Sequence, residues 1–450
     1  MKKLQLDAIA FLTIILMLGI ANFVNGNKPE VSELENRALK QKPKFTLSAV
    51  ASGSYFSDYN DYYNDTFIWR DKLLKISSGI KQAMFFNTSD AKIIVADKSK
   101  EYNASGGKKD NSGEKDKSSE KDNTVNETNP TNQPLSTSDA PSPTPDKKYN
   151  ESEGVGYWLV IDGKAVELFK FNKESFEYYA EVLNKYNERL NNKIPIYSLI
   201  APTNSEFVQL KKYKGISDSQ NNAIKFLDTK FSSGITSVNS YDILNSHKDE
   251  YIYFRSDHHW TALGAYYGYS AFMETKNEKT VPLENYQTVQ IDNFLGSSYS
   301  KTMDKSIENN PDTIYAYIPY VNYKYEMHHW NKSSEAKVID MKYAETKRDK
   351  YLVFLSGGDS TWAVIKTENK NGKKLLVIKD SYGNTFVPFL LPHYEEIYVV
   401  DPRFYDITIH GNLIDFIGSK GINEILFVNY MENVNSRDFM ESVENLMYDK

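Results

Sequence analysis

Two short stretches hold side chains whose types and spacing suit nucleophilic catalysis. In "YFRSDHHWTALGAYYGY" an acid, two adjacent histidines and a tryptophan fill Asp257, His258, His259 and Trp260, in a chain with only seven histidines. Asp257 and His259 lie at i and i+2, so in an extended segment their side chains share one side, whereas His258 points away. An acid placed in this way orients an imidazole as a general base. In "KLLVIKDSYGNTFVPFLLPHY" the apolar run Leu375–Ile378 reads as a strand. It enters Lys379-Asp380-Ser381-Tyr382-Gly383-Asn384, and then an apolar, helical segment interrupted by Pro388. A serine at a strand-to-helix turn holds its hydroxyl above the sheet edge, and its own N–H faces the space served by the helix N-terminus. That makes Ser381 both a nucleophile candidate and an oxyanion donor. A serine needs an imidazole to take its proton, and the imidazole needs a carboxylate on its other nitrogen.

Other readings use the same residues. Ser381 also suits a helix cap. Asp257, His258 and His259 could join His328 and His329 of "MHHW" as zinc or iron ligands, although adjacent histidines on a strand diverge. Both His-His pairs also fit purely structural roles, and "YKYEMHHWNKS" reads as a polar hairpin. A rival serine sits in Gly358-Asp359-Ser360, after the apolar run "YLVFLS", which reads as a strand; Gly358 could instead give a backbone N–H to an oxyanion. Trp260 is expected to pack at a helix start that Thr261 helps to cap. Trp260, Tyr382 and Arg403, the last in "DPRFY", are candidates to line the cleft and bind substrate.

The elements that must position these residues alternate. "ESFEYYAEVLNKYNERL" sets Phe176, Tyr179, Leu183, Tyr186 and Leu190 at steps of three and four, an amphipathic helix. "KIPIYSLIAP" reads as a buried strand, and "WTALGAYYGYSAFMETK" as a helix. "KLLVIKD", "EIYVVD" and "EILFVNY" read as buried parallel strands. "SRDFMESVENLMYD" closes the chain as a helix with Ser436 as N-cap. Strand and helix alternating in this way predict an α/β sandwich around a parallel sheet, with the chemistry at the carboxyl ends of the strands.

With 450 residues the chain is long enough for one large domain or two ordinary ones. A formal net charge of −6 gives no basic excess for nucleic acid, and the absence of cysteine removes disulfides and thiolate chemistry. Lys2 and Lys3 precede the apolar "AIAFLTIILMLGIANFV" (8–24). Residues 1–26 are therefore expected to form a signal anchor or transmembrane helix, with the bulk of the chain outside the cytoplasm; a cleaved signal peptide, releasing a secreted domain, is the rival. Residues 27–96 read as a helical section, with aromatics at Phe56, Tyr59, Tyr62, Tyr63 and Phe67. Residues 97–153 are rich in Ser, Asp, Lys, Asn and Pro and nearly free of apolar side chains, a composition expected to be disordered. Their flanks, "AKIIVAD" and "GYWLVIDGKAVELF", read as strands that pair with each other, which places the tract at a hairpin tip. The domain proper then spans 154–450.

The Asp257-His258-His259-Trp260 string is the signature of the DHHW family, which this chain resembles over nearly its whole length outside the insertion. "ENRAL", "DTFIWRDKL" and "KDSYGNTFVPFLLPHYEEIYVVDPRFY" extend the likeness. That family is similar to alginate O-acetyltransferase proteins of the AlgX/AlgJ type. The resemblance implies an SGNH-hydrolase-like three-layer α/β sandwich and a triad of Ser381, His259 and Asp257. It also implies transfer of acetyl groups to a cell-surface or secreted polysaccharide. A membrane-bound O-acyltransferase is the implied acetyl supplier, and no cofactor or metal is called for. Lys379 stands where ordinary SGNH hydrolases carry a glycine before Asp-Ser, and the order of the motifs is reversed relative to them. A carbohydrate esterase using the same triad, or a non-catalytic glycan-binding scaffold, remains open at this stage.

Overall fold

The computed structural model describes residues 2–26, 28–32, 34, 37–84, 91–97, 155–208, 215–329 and 332–449. The expected disorder of the insertion falls, but for Asp97, outside the described residues.

Eight strands form the main sheet: β1 (Ile196–Ala201), β2 (Ile235–Val238), β3 (Tyr323–His329), β4 (Lys332–Ala336), β5 (Trp362–Thr367), β6 (Lys374–Lys379), β7 (Glu396–Val400) and β8 (Glu424–Tyr430). Their order is β4-β3-β5-β7-β6-β8-β1-β2. The five strands β7-β6-β8-β1-β2 run parallel. β5, β3 and β4 extend this core antiparallel. The expected parallel sheet is therefore the larger part of a mixed one. The addition begins with β3 and β4, which are joined by only two residues and must run antiparallel. The "MHHW" hairpin expected from sequence is this pair.

Parallel strands buried on both faces need continuous apolar runs, and β6 has one. Leu375 and Val377 enter one core with Trp260, Tyr269, Phe272 and Phe386; Leu376 and Ile378 enter the other with Phe176, Tyr179, Leu183 and Tyr186. Each such side chain contributes about 1.5–3 kcal/mol when fully buried. Helices Lys173–Arg189 and Arg437–Asn445 cover the second face; Ser436 caps the latter by accepting from Phe439 N. Helix Ala262–Thr275 packs on the first face, capped by the Thr261 hydroxyl at Gly264 N. The result is three layers.

The strands flanking the insertion pair as expected. Ala91–Asp97 lies antiparallel to Val155–Ile161, with Ile93 opposite Leu159. The run "YLVFLS" does not form the strand its apolar content suggests. Lys350–Val353 and Leu355–Gly357 are 3₁₀ turns, started by the Asp349 carboxylate at Tyr351 N. Tyr351, Val353, Phe354 and Leu355 are all buried, so the run reflects packing rather than extension.

Three helices occupy the section before the insertion: Leu47–Ala51, Ser54–Asp65 and Arg70–Met84. The apolar N-terminal run is a helix, Lys2–Val24. Among the described residues no helix is long and apolar enough to cross a membrane, so the spanning anchor expected from sequence is not supported. Lys2, Lys3, Gln5 and Asp7 occupy the first two turns and leave only 8–24, the lower limit of the ~17–25 residues a span needs.

Candidate active site

The segment 251–261 that carries the two histidines is not a regular strand. It folds back so that Tyr253 bridges Trp260, then enters helix Ala262–Thr275. A buried carboxylate, Asp312, shapes it. Asp312 accepts from Tyr251 Oη (2.5 Å), Arg255 N (3.0 Å), Ser256 N (2.7 Å) and Ser256 Oγ (2.5 Å). Asp257 follows directly. Its Oδ1 faces His259 Nδ1 at 2.5 Å and accepts from His259 N at 2.9 Å, so acid and base meet as expected, but across a bend closed by the Asp257 side chain rather than along an extended segment. Its Oδ2 accepts from Ser297 N at 2.7 Å. Gly296 permits that approach, since a Cβ there would sit 2.2 Å from Asp257 Oδ2.

The other nitrogen of the same ring, His259 Nε2, lies 2.7 Å from Ser381 Oγ. Ser381 is two residues beyond the end of β6, on the turn that leads into helix Gly383–Phe386. Asp380 holds the turn from below by accepting from Tyr382 N (2.9 Å), Tyr430 N (2.8 Å) and Asn433 Nδ2 (3.0 Å). Among the described residues the Ser381 N–H has no protein acceptor, which leaves it available to an oxyanion.

Burial would raise the Asp257 carboxyl. The His259 imidazole, the His258 imidazole and the Ser297 N–H outweigh burial and hold the carboxylate well below its usual range. Burial, with His258 adding, pulls His259 down to about 4 against the attraction of Asp257. His259 is thus neutral around pH 7. Donation of Nδ1–H to Asp257 leaves Nε2 as acceptor for the serine proton.

The remaining candidates divide. Trp260 and Tyr382 are fully buried, so neither offers a face to a substrate. Trp260 Nε1 donates to Tyr382 O (3.1 Å) and Thr385 Oγ1 (2.8 Å), and Tyr382 Oη donates to His258 O, so the two residues tie the histidine segment to the serine turn. Arg403 is half-buried and bound to Asp401 through Nε (2.9 Å) and Nη2 (2.7 Å). Its charge reaches His259 and disfavours the imidazolium. Gly358 does not supply an oxyanion donor: its N–H goes to Leu355 O at 2.9 Å, its φ is +65°, and its carbonyl accepts from buried Lys379 Nζ at 3.0 Å. Ser360 follows 3₁₀ turns rather than a strand, and His259 spends its ring nitrogens on Asp257 and Ser381.

His258 turns from Ser381 and sets Nδ1 2.5 Å from Ser297 Oγ. Among the described residues, the one group of three or more carboxylate and imidazole ligand atoms close enough to share an ion is Asp257, His258 and His259. His328 and His329 do not join it, and His328 stacks on Trp362 at 3.7 Å. The Asp257 and His259 donor atoms face one another and Ser381, which suits proton transfer rather than ligation.

Two contributors escape the sequence. Tyr351 stacks on the His259 ring (3.8 Å, 11°) and donates to Ser381 O at 2.8 Å, touching base and nucleophile at once. Asp312, in "NNPDTIY", has the look of a turn acid. Neither carries a local signal, because their partners lie 30 or more residues away.

The class of protein is thus a mixed α/β fold with a Ser–His–Asp cluster at the carboxyl edge of its parallel strands. The chain belongs to the DHHW family, whose model, described as DHHW protein, matches residues 35–400. It is similar to a DHHW family protein from Eubacterium siraeum, with 31% identity over 66% of this chain and 96% of that one and a TM-score of 0.58. Bacillus cereus PatB1, solved with a sulfonyl adduct, shares the fold at 19% identity over 64% and 98% of the two chains, with a TM-score of 0.54. The O-acetyltransferase domain of Pseudomonas putida AlgJ aligns over 63% and 96% at 10% identity, with a TM-score of only 0.36, too low to support an inference. None of the curated proteins matches.

Proposed function

We propose that this chain is an SGNH-hydrolase-like acyltransferase that acetylates hydroxyls of a cell-surface or secreted polysaccharide outside the cytoplasm. The observation that carries the reading is the contact of His259 Nε2 with Ser381 Oγ at 2.7 Å, with Asp257 on the other ring nitrogen. His259 takes the Ser381 proton as Oγ attacks the acetyl carbonyl of a donor, and the Ser381 N–H receives the oxyanion. The tetrahedral intermediate collapses, His259 returns the proton to the leaving group, and acetyl-Ser381 remains. A sugar hydroxyl then loses its proton to His259 and attacks the acetyl carbon. Ser381 leaves and is reprotonated, and the sugar ester departs. A membrane-bound O-acyltransferase fits as the supplier of acetyl groups.

The test incubates the full chain with an activated acetyl ester and glycan oligomers, followed by mass spectrometry of both. Acetyl-Ser381 together with acetylated glycan is expected. Acetyl-Ser381 that only hydrolyses in the presence of every glycan would make the protein an esterase, and no acetyl-serine at all would make it a scaffold. A sulfonyl fluoride should label Ser381 and block transfer. Labelling that survives His259→Ala unchanged would contradict activation by the imidazole.

The pH dependence has a worked sign. The base form of His259 persists down to about pH 4, so kcat/KM should hold through pH 5–6 and fall with an acid limb near 4. Arg403 and His258 both disfavour the imidazolium. Removing the one with the larger effect, by His258→Gln, should raise the His259 pKa and move the limb to higher pH. A pH–rate profile of the variant whose limb stays put or moves down would refute this coupling.

A further inference from the structure

The helical section before the insertion has two dissimilar sides. Helix Arg70–Met84 meets the body through Ser78 Oγ, which donates to Met303 O at 3.3 Å, and through Lys75, paired with Glu308 at 3.7 Å. Away from that contact it presents Leu73, Ile76 and Ile80, preceded by Trp69. Leu73, Ile76 and Ile80 lie at helical steps of three and four, a single stripe along one face, and Trp69 stands just before the helix. Trp69, Ile76 and Ile80 are each more than half exposed. Trp69 also has φ +58°, a left-handed backbone that is costly for a bulky residue.

Earlier in the same section, the sequence "LKQKPKFTL" sets Lys40, Lys42 and Lys44 before Phe45 and Leu47. Phe45 is 69% exposed and Leu47 82%. Residues 40–80 hold six Lys and Arg against four Asp, in a chain whose formal net charge is −6. The section is therefore locally basic on an acidic protein. It also continues from the N-terminal helix. Asn22 Oδ1, at the end of that helix, accepts from Ile68 N (3.0 Å) and from Lys28 Nζ (2.9 Å), so the helix end lies one residue from Trp69. The N-terminal helix itself exposes Ile9, Phe11, Leu12, Ile15, Leu16 and Phe23.

We infer that residues 40–80 form an interfacial docking surface for an anionic lipid bilayer. Leu47, Leu73, Ile76 and Ile80 are aliphatic, so they gain from acyl chains and little from the hydroxyls of a glycan. Flanking lysines attract anionic headgroups, and a tryptophan belongs at the headgroup level. No helix here is long and apolar enough to span, as stated above, so the surface lies on the bilayer rather than through it. It would hold the body against the membrane in a fixed attitude, which a flexible tether could not do. The inference is independent of the acyl-transfer chemistry.

The absence of cysteine from the chain makes single-site labelling clean. Full-length Leu73→Cys, Ile76→Cys and, as a control on helix Lys173–Arg189, Glu188→Cys would carry a nitroxide. Relaxation by oxygen and by a water-soluble nickel chelate is then read with and without phosphatidylcholine–phosphatidylglycerol vesicles. The expected result is a severalfold loss of nickel accessibility at 73 and 76 on adding vesicles, with a gain for oxygen, and no change at 188. Bromolipid should quench the tryptophan fluorescence of the unlabelled chain, and Trp69→Phe should remove most of that quenching. Three outcomes would overturn the inference: labels that stay in water while the chain is vesicle-bound, protection that appears without vesicles as protein concentration rises, and protection conferred only by an anionic glycan. The first would leave the N-terminal helix as sole attachment, the second would assign the stripe to a second copy of the chain, and the third to a polymer.

Discussion

A Ser381→Ala chain is expected to lose at least ~10³–10⁴-fold in acyl transfer, and His259→Ala should lose about as much. The double variant should fall little further than either single one. Proton removal and nucleophilic attack are one event across the 2.7 Å contact between Nε2 and Oγ, so removing either atom removes both. Asp257→Ala should do somewhat less harm, because a tyrosine face also steadies the imidazole, with Tyr351 stacked at 3.8 Å. His258→Ala should cost far less than any of these, since its Nδ1 is directed at Ser297 and not at the serine nucleophile. Rates with an activated acetyl ester, measured on folded variants, check the series. A double variant that multiplies the two single losses would mean that Ser381 and His259 act separately.

The largest effect on stability is expected away from the reacting atoms. Asp312 is fully buried and gathers Tyr251 Oη, two backbone N–H groups and Ser256 Oγ, with the Arg255 guanidinium at 3.3 Å. Asp312→Ala removes the acceptor that Tyr251 Oη and the two backbone N–H groups share, in a region with little access to water, while Ser256 Oγ keeps only Phe294 O at 3.3 Å. Loss of one partner from such a buried charged cluster costs about 3–5 kcal/mol. Thermal and denaturant unfolding should show a loss of that order. Activity at low temperature should fall as well, because the cluster fixes the segment that carries Asp257 and His259. A variant within about 0.5 kcal/mol of the parent would show that the segment is held by other contacts.

Much of this arrangement is legible in the sequence where the signal is local. The continuous apolar runs of β6, β7 and β8 are what a strand buried on both faces requires. Phe176, Tyr179, Leu183 and Tyr186 recur at helical steps, and all four are buried. The Asp257–His259 pairing is legible although the bend that makes it is not, and the strand before Ser381 fixes its place at the sheet edge. What is not legible depends on partners distant in sequence. "YLVFLS" has the hydrophobicity of a strand, but the Asp349 side chain turns its start into a 3₁₀ turn. Gly358 looks like a donor until Leu355 O is found to take its N–H. Trp260 and Tyr382 have the aromatic character of a sugar platform. Their burial follows from the crossing of two segments more than 120 residues apart, which no window of sequence contains. The β3–β4 hairpin is legible, but its joining to the main sheet through antiparallel β5 is not: strand direction depends on where a connection ends, not on the composition of the strand.

The position of β6 has a further consequence. It lies inside the sheet, bonded on both sides, and its central residues Leu375–Ile378 are entirely shielded from solvent. Amides in such a strand exchange their protons only through openings that approach the free energy of unfolding the whole molecule. Ser381 hangs from that strand, while the histidine is brought to it by the irregular segment 251–261, which lies outside the sheet and is tied down by Asp312. Fluctuations below global unfolding therefore reach the base through loss of the Asp312 contacts before they reach the strand that carries the nucleophile. If the site has an inactive resting state, its moving part is the imidazole.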